Sequence, residues 1–405
     1  MTNKKLNVPE LRFPGFEGEW KKKLLDEIAN VQMGQSPNSQ NYTDDFEEMV
    51  LVQGNADLKN GKVSPRIFTK EITKIAKRND ILLSVRAPVG EIGITQMPVC
   101  IGRGVCSITS NLFTYYFLDY FNNGNKWKKF SQGSTFEAIS GNEVRNLIIF
   151  SPSEKEQQKI GDFFSKLDRQ IDLEEQKLEK LEQQKKGYMQ KIFSQQLRFK
   201  DENGNNYPDW EIRDFMDNIN KVIDFRGKTP KKIGLEWSKS GYLALSALNV
   251  KNGYIDYSVD ANFGDEKLYK KWMGENELKK GQVLFTTEAP MGNVAQVPDN
   301  KGYILSQRTI AFNVHQDKIT ENFLAFLLRS SNIIKRLMTL ASGATAKGVS
   351  QKSLKKLVIN VPSSLEEQGE ISGFLKSIDI RKTKQKSKII ELKLRKQAFL
   401  QKMFI

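Results

Sequence analysis

The stretch Ser131-Gln132-Gly133-Ser134-Thr135, closing on Ile139-Ser140, is written a second time as Ala341-Ser342-Gly343-Ala344-Thr345, closing on Val349-Ser350. Val144, Leu147, Ile149 and Pro152 recur 210 positions later as Leu354, Leu357, Ile359 and Pro362. After one inserted residue, Ile160, Phe163, Asp168 and Phe193 recur at a spacing of 211 as Ile371, Phe374, Asp379 and Phe404. Upstream the order continues. Leu11-Arg12-Phe13 leading to Trp20 returns as Leu197-Arg198-Phe199 leading to Trp210. Gly34-Gln35-Ser36-Pro37 returns as Gly227-Lys228-Thr229-Pro230, Asn60-Gly61 as Asn252-Gly253, and Ala87-Pro88-Val89-Gly90 as Ala289-Pro290-Met291-Gly292. The chain is therefore one design written twice, with shared landmarks and freely different residues between them.

Within each half the first part reads as short strands bounded by Gly, Pro and Asn: Glu48–Val52 and Ile81–Val85, then Tyr242–Leu245 and Val283–Phe285. A short helix is expected at Leu112–Phe121 and again at Glu321–Lys335. Each half then ends in a long helix. Ser153-x-x-Glu156 and Ser363-x-x-Glu366, each just after a proline, have the form of a capping box. From Phe164 to Ile192, positions stepping by three and four hold seven apolar residues out of nine, among them Leu167, Ile171, Leu178 and Leu181. The equivalent seam from Leu375 to Met403 holds six of nine. Helices over about 156–193 and 367–404, roughly 57 Å long at about 1.5 Å per residue, need a partner for these seams. Pairing with each other in antiparallel fashion is one solution; packing of each helix on its own head is the other.

The chain has 405 residues, enough for two or more domains, with 39% apolar and 27% charged residues. Its net charge of +15 favours an anionic partner, nucleic acid or an acidic membrane surface. The run Arg381–Lys402 carries nine basic residues and one acid, Glu391. Cys100 and Cys106 fit no zinc spacing and read as small apolar fillers in a reduced compartment. The polar start, with no apolar run behind it, and the lack of a membrane-length apolar stretch lead to the expectation of a cytoplasmic protein.

Catalytic signals are missing. The single histidine, His315, rules out a histidine-based triad and a multi-histidine metal site. There is no phosphate-binding G-x-x-x-x-G-K-[ST] motif, and Gly102-Arg103-Gly104 lacks the third glycine of a nucleotide turn. No Asn- or Asp-Pro-Pro-aromatic motif is present, and neither Pro208-Asp209 nor Pro298-Asp299 is followed closely by Glu-x-Lys. The expectation is a non-catalytic binding protein with no cofactor and no metal. A structural adaptor that binds no DNA and a stand-alone DNA-modifying enzyme are the rival classes.

The loops between the landmarks are rich in side chains that suit base edges and phosphates: Arg and Lys for guanine, Asn and Gln for adenine, Ser and Thr for phosphate. The candidates in the first half are Gln35, Ser36, Gln53, Asn55, Ser84, Arg86, Arg103, Ser134 and Thr135, with Gln32 and Gln132 beside them. Those in the second half are Arg226, Lys228, Thr229, Asn249, Thr286, Thr287, Arg308, Thr345 and Lys347, with Lys231, Ser246 and Gln307 beside them. Gly34, Gly133, Gly227 and Gly343 read as turn formers.

Two variable heads, each opened by Gly-x-[Ser/Thr]-Pro and each followed by a long helix with Glu-Gln near its start (Glu156-Gln157, Glu367-Gln368), resemble the specificity subunit of type I restriction–modification enzymes. The opening Pro9-Glu10-Leu11-Arg12-Phe13-Pro14 is similar to members of the same family. The resemblance covers essentially the whole chain. It implies an α+β protein: two pseudo-twofold-related α/β target recognition domains, at 1–152 and 196–362, joined by two long antiparallel coiled-coil spacer helices, at 153–195 and 363–405. It implies double-stranded DNA as ligand, each head reading half of an asymmetric split site. It further implies two methyltransferase subunits docked along the helices, and restriction subunits with translocase activity joining them. S-adenosylmethionine, ATP and magnesium would then belong to those partners.

Overall fold

The computed structural model describes residues 7–124, 126–129, 138–341 and 348–405. The chain divides into two compact units, residues 1–177 with 385–405, and residues 178–384. In the first unit β1 (Lys21–Leu24), β2 (Asn30–Met33), β3 (Met49–Val52), β4 (Ile81–Ser84), β5 (Ile92–Ile94), β6 (Val99–Ile101), β7 (Val105–Thr109), α1 (Leu112–Asn123) and β8 (Ile148–Ser151) precede the start of the long helix α2 (Glu154–Phe193). β2, β7, β4 and β5 lie side by side in that order, all antiparallel. β3 and β6 run parallel in a second sheet, and β1 pairs antiparallel with β8.

The second unit repeats this plan. It holds β9 (Trp210–Asp214), β10 (Ile219–Asp224), β11 (Tyr242–Leu245), α3 (Glu266–Met273), β12 (Val283–Thr286), β13 (Val294–Gln296), β14 (Ile304–Leu305), β15 (Thr309–Val314), α4 (Glu321–Leu328), α5 (Ser331–Leu340), β16 (Val358–Pro362) and the first part of α6 (Leu365–Met403). β10, β15, β12 and β13 form the antiparallel sheet, β11 and β14 the parallel pair, and β9 and β16 the short ribbon. β4 (Ile-Leu-Leu-Ser) and β12 (Val-Leu-Phe-Thr) are the central strands. All their residues are buried, which is why they read as unbroken apolar runs rather than alternating ones. Cys100 and Cys106 are buried on β6 and β7, and burial pushes the Cys106 thiol up to about 12.

The expected single helix over 321–335 is two. Ser330 follows the end of α4, and its side chain accepts the Ile333 N–H to start α5. The caps of the long helices also differ from the reading above. Ser153 accepts the Glu156 N–H at 3.4 Å, but the Glu156 carboxylate turns to Arg12 (2.7 Å) instead of closing a box. In the second unit the cap is Ser364, which accepts the Glu367 N–H, while the Ser363 hydroxyl donates to Asp209 O. Ser363 is thus the inserted residue that turns the spacing of 210 into 211.

The Glu-Gln pairs join head to helix at the same places in both units. Arg12 makes two hydrogen bonds to buried Glu156, and Arg198 two to buried Glu367. Gln157 accepts from Asn111, the N-cap of α1, and donates to Pro152 O; Gln368 accepts the N–H of Thr320, the N-cap of α4, and donates to Pro362 O. A buried carboxylate is tolerated only when so paired, and removal of its arginine costs about 3–5 kcal/mol.

In each unit the long-helix segments run antiparallel. In the first, Phe163 meets Phe399, Asp168 meets Lys396, and Glu174 meets Lys388, so numbers rise on one segment as they fall on the other. In the second, Glu182 meets Lys382, Lys185 meets Asp379, and Tyr188 meets Phe374. The seams serve the heads too. Phe404 packs on Trp20, Phe113 and Phe164 in the core of the first unit. Phe193, its repeat equivalent, packs on Trp210 and Phe323 in the core of the second. Each head is therefore filled by the last turn of the other repeat's helix.

Candidate nucleic-acid interface

In the first unit four loops converge at the strand ends. The Gln35 N–H donates to Ile101 O (2.9 Å), the Gly102 N–H to Val52 O (2.8 Å), and the Val85 N–H to Gly104 O (2.9 Å). The Arg103 N–H donates to the Ser36 hydroxyl (3.1 Å). This convergence requires glycine. A Cβ on Gly34 would stand 2.2 Å from Gly102 O, and one on Gly104 would stand 2.1 Å from Gln53 O. Gly34 is thus a site of close backbone approach rather than a turn former. The turn Gln53–Asp57 is closed by Asp57, which is buried and accepts the N–H groups of Gln53 and Gly54 while pairing with Arg66 at 2.7 Å.

The second unit brings the equivalent loops together. The Ser306 N–H donates to Leu245 O and the Thr287 N–H to Arg308 O, both at 2.9 Å. The Gln307 amide donates to Lys228 O. Gly227 has φ +78°, the left-handed conformation that glycine suits. In the place of Asp57 stands Asn249, wholly buried, whose side chain accepts the Ser246 N–H and donates to Ala244 O.

The candidate residues separate on this geometry. Gln35, Arg86 and Arg103 are exposed and Ser36, Gln53 and Asn55 half-buried, all in the converging loops of the first unit. Among the described residues neither Arg86 nor Arg103 has an ion-pair partner. Arg226 and Arg308 are exposed in the second unit, but each is paired, Arg226 with Asp224 (2.5 Å) and Arg308 with Glu288 (3.0 Å). Burial pushes the Asp224 carboxyl up, yet the hydrogen bonds from Arg226 outweigh it and hold the group below the ordinary aspartate range. Lys228 is half-buried, with its ammonium donating to Trp272 O at 3.2 Å and lying over the Phe225 ring. Thr229 caps a short 3-10 turn, accepting the Lys232 N–H.

Four candidates face inward. Ser84 and Thr286 are buried and hydrogen-bonded within their own turns, Thr287 bonds to Arg308 O, and Asn249 is the buried turn closure just described. These four support the loops and reach no base edge, because their polar atoms are already spent on backbone groups. Gln32 likewise donates to Ile75 O. Ser134 and Thr135, with Gln132, and Thr345 and Lys347 lie outside the described residues. Glu288, Asp224 and Asp57 escape a reading that looks for basic and amide side chains, and Arg66 lies outside the loops that reading singled out. The signal for Glu288 was its place directly before the repeated Ala-Pro, where the first half has Arg86. Among the described residues no group of three or more His, Cys, Asp or Glu could hold a metal, and no helix is long and apolar enough to cross a membrane.

Two copies of one loop cluster, lined with arginine and amide side chains on a basic chain, define a duplicated recognition protein. The chain belongs to the type I restriction modification DNA specificity domain family, whose profile matches residues 17–183 and again 208–394. It is 33% identical over 181 residues to the putative type I restriction enzyme MjaX specificity subunit of Methanocaldococcus jannaschii, 43% of this chain and 42% of that protein. It is 27% identical over 330 residues to the MjaVIII specificity subunit of the same organism, 78% of this chain and 75% of that one. The fold is shared with the crystal structure of the type I restriction–modification S subunit from M. genitalium, at a TM-score of 0.60 and 15% identity over 98% of this chain and 99% of that one. A chain from a structure of type I system assembly and conformational transition aligns at 0.57 and 17% over 97% and 99%.

Proposed function

We propose that this chain is the non-catalytic DNA-recognition subunit of a type I restriction–modification complex, each head reading one half of an asymmetric, split site. The observation that supports it is a conserved scaffold with unlike loop tips: the same four loops converge in both units, but present Gln35, Arg86 and Arg103 in one and Arg226, Glu288 and Arg308 in the other. A single binding surface would not need the scaffold twice. In this reading the segments 153–195 and 363–405 set the spacing of the two readers and dock two methyltransferase subunits, with restriction and translocase subunits joining them. S-adenosylmethionine, ATP and magnesium belong to those partners, and the chain alone neither methylates nor cleaves DNA.

Exchange of residues 20–150 for the equivalent region of a relative tests the proposal. The methylated adenines of a cell expressing the complex should then report a site altered in one half and unchanged in the other. A site altered in both halves together would overturn the assignment of one head to each half.

A further inference from the structure

Both heads hold a cis Ala-Pro peptide at the same place, Ala87-Pro88 and Ala289-Pro290. The turn around it is fixed from within. The Ser84 hydroxyl donates to Pro88 O (3.0 Å) and accepts the Glu91 N–H (2.9 Å). The Thr286 hydroxyl donates to Pro290 O (2.7 Å) and accepts the Asn293 N–H (2.9 Å). It is also fixed from the side. The Ile139 N–H donates to Val85 O and the Val349 N–H to Thr287 O, both at 2.9 Å, and single bridges join Arg86 to Ala138 and Glu288 to Gly348. The residue before Ala-Pro is therefore held by its backbone on both sides while its side chain reaches solvent. In the first head that residue is Arg86; in the second it is Glu288. The scaffold is the same and the charge is opposite.

We propose that this position determines base specificity in each head, with Arg86 selecting guanine and Glu288 selecting cytosine. The proposal rests on the DNA-reading function above and adds a residue type that reading did not include. An arginine can donate two hydrogen bonds to guanine O6 and N7. A carboxylate is repelled by phosphate, so on a surface that receives DNA it must meet donors. The donors a duplex presents in the major groove are exocyclic amino groups, and cytosine N4 is the one that suits a single carboxylate. Arg308 stands 3.0 Å from Glu288, with side chains 58% and 41% exposed. A pair so exposed is worth little, so it orients the carboxylate without locking it away from DNA.

The test uses the assembled complex and duplex pools randomised across the site, with Arg86→Gln and Glu288→Gln compared with the unaltered chain. Each variant should lose roughly ten- to hundredfold preference for the original base at one position, Arg86→Gln in one half of the site and Glu288→Gln in the other. All other positions should keep their preference, and the untouched half is the internal control for folding. Unchanged preferences, or an equal loss across all sequences, would overturn the proposal and leave Glu288 as a counter-charge for Arg308. If the unaltered complex selected no split site at all, the DNA-reading function itself would fall.

Discussion

Each unit half-buries one lysine of the long-helix seam against an aspartate of the facing helix, and the two lysines end in opposite states. In the first unit Lys396 meets Asp168 (2.8 Å) and Asp119 (3.0 Å), and lies over the Tyr116 ring. In the second, Lys185 meets Asp379 (2.5 Å) and lies over Phe326, but the place of Asp119 is taken by Arg329, 3.8 Å from the same aspartate. Burial opposes the charge on both lysines. For Lys396 the two aspartates outweigh burial and hold its pKa above the usual lysine value of 10.5; for Lys185 burial and Arg329 act together and hold it below. One geometry can thus be kept while its charge balance is inverted, from two acids and one base to one acid and two bases. The repeat conserves the position of a buried polar node and leaves its sign free.

The comparison can be broken at several strengths. The largest effect should come from the plugs. Phe404→Ala should lower the stability of the first unit by about 3–5 kcal/mol. Phe193→Ala should act on the second unit instead, and less strongly, because Phe193 meets fewer aromatic rings. Peptide-resolved hydrogen exchange checks this, and loss of protection in the wrong unit would refute the exchange of helix ends.

Next come the lysines. Lys396→Met leaves Asp119 and Asp168 without their cation and should cost about 3 kcal/mol. Lys185→Met leaves Asp379 with Arg329 and should cost less than about 1 kcal/mol. Equal losses in thermal unfolding would show that Arg329 does not substitute for the lysine.

The smallest effect concerns Glu174, which occupies the same repeat position as Gln385. Hydrogen bonds from Gln385, Lys388 and Lys177 hold its pKa at about 2, against an ordinary 4.5. A depressed carboxylate stabilises the fold fully above the unfolded value and loses that contribution as pH falls through the folded one. Glu174→Gln, which makes the two repeats alike at this position, should therefore unfold below wild type at pH 6. The gap should close as pH falls from about 4.5 to about 2. A gap independent of pH would assign it to packing.

Much of this was legible in the residues because repetition filters noise. Arg12 and Arg198 and the Glu-Gln pairs stand in matching places and make matching contacts, and Trp20 and Trp210 pack on equivalent rings, although only the Trp210 indole N–H donates to the buried glutamate, Glu367. The seams signalled pairing through their spacing, since a heptad stripe needs a facing stripe. What the residues concealed was which head each helix end fills, because Phe193 and Phe404 are apolar ends of either arrangement. The inward turn of Ser84, Thr286, Thr287 and Asn249 was equally hidden. A hydroxyl or amide in a loop sequence looks the same whether it faces a base or closes its own turn. The capping serine moved by one residue because the single insertion falls at Ser363, beside a second serine that caps as well.

The seat of Phe404 among Trp20, Phe113 and Phe164 also sets a timetable for biogenesis. At about 5–20 residues per second, a ribosome that has finished residue 177 works on for roughly ten seconds or longer before it makes the last turn of α6. Until then the earlier-made head has an open apolar socket, and its later-made counterpart, closed by Phe193, does not. The first head translated is the last one sealed. A nascent chain stalled or cut short before Phe404 would expose that socket to chaperones and proteases, while the other head is already complete.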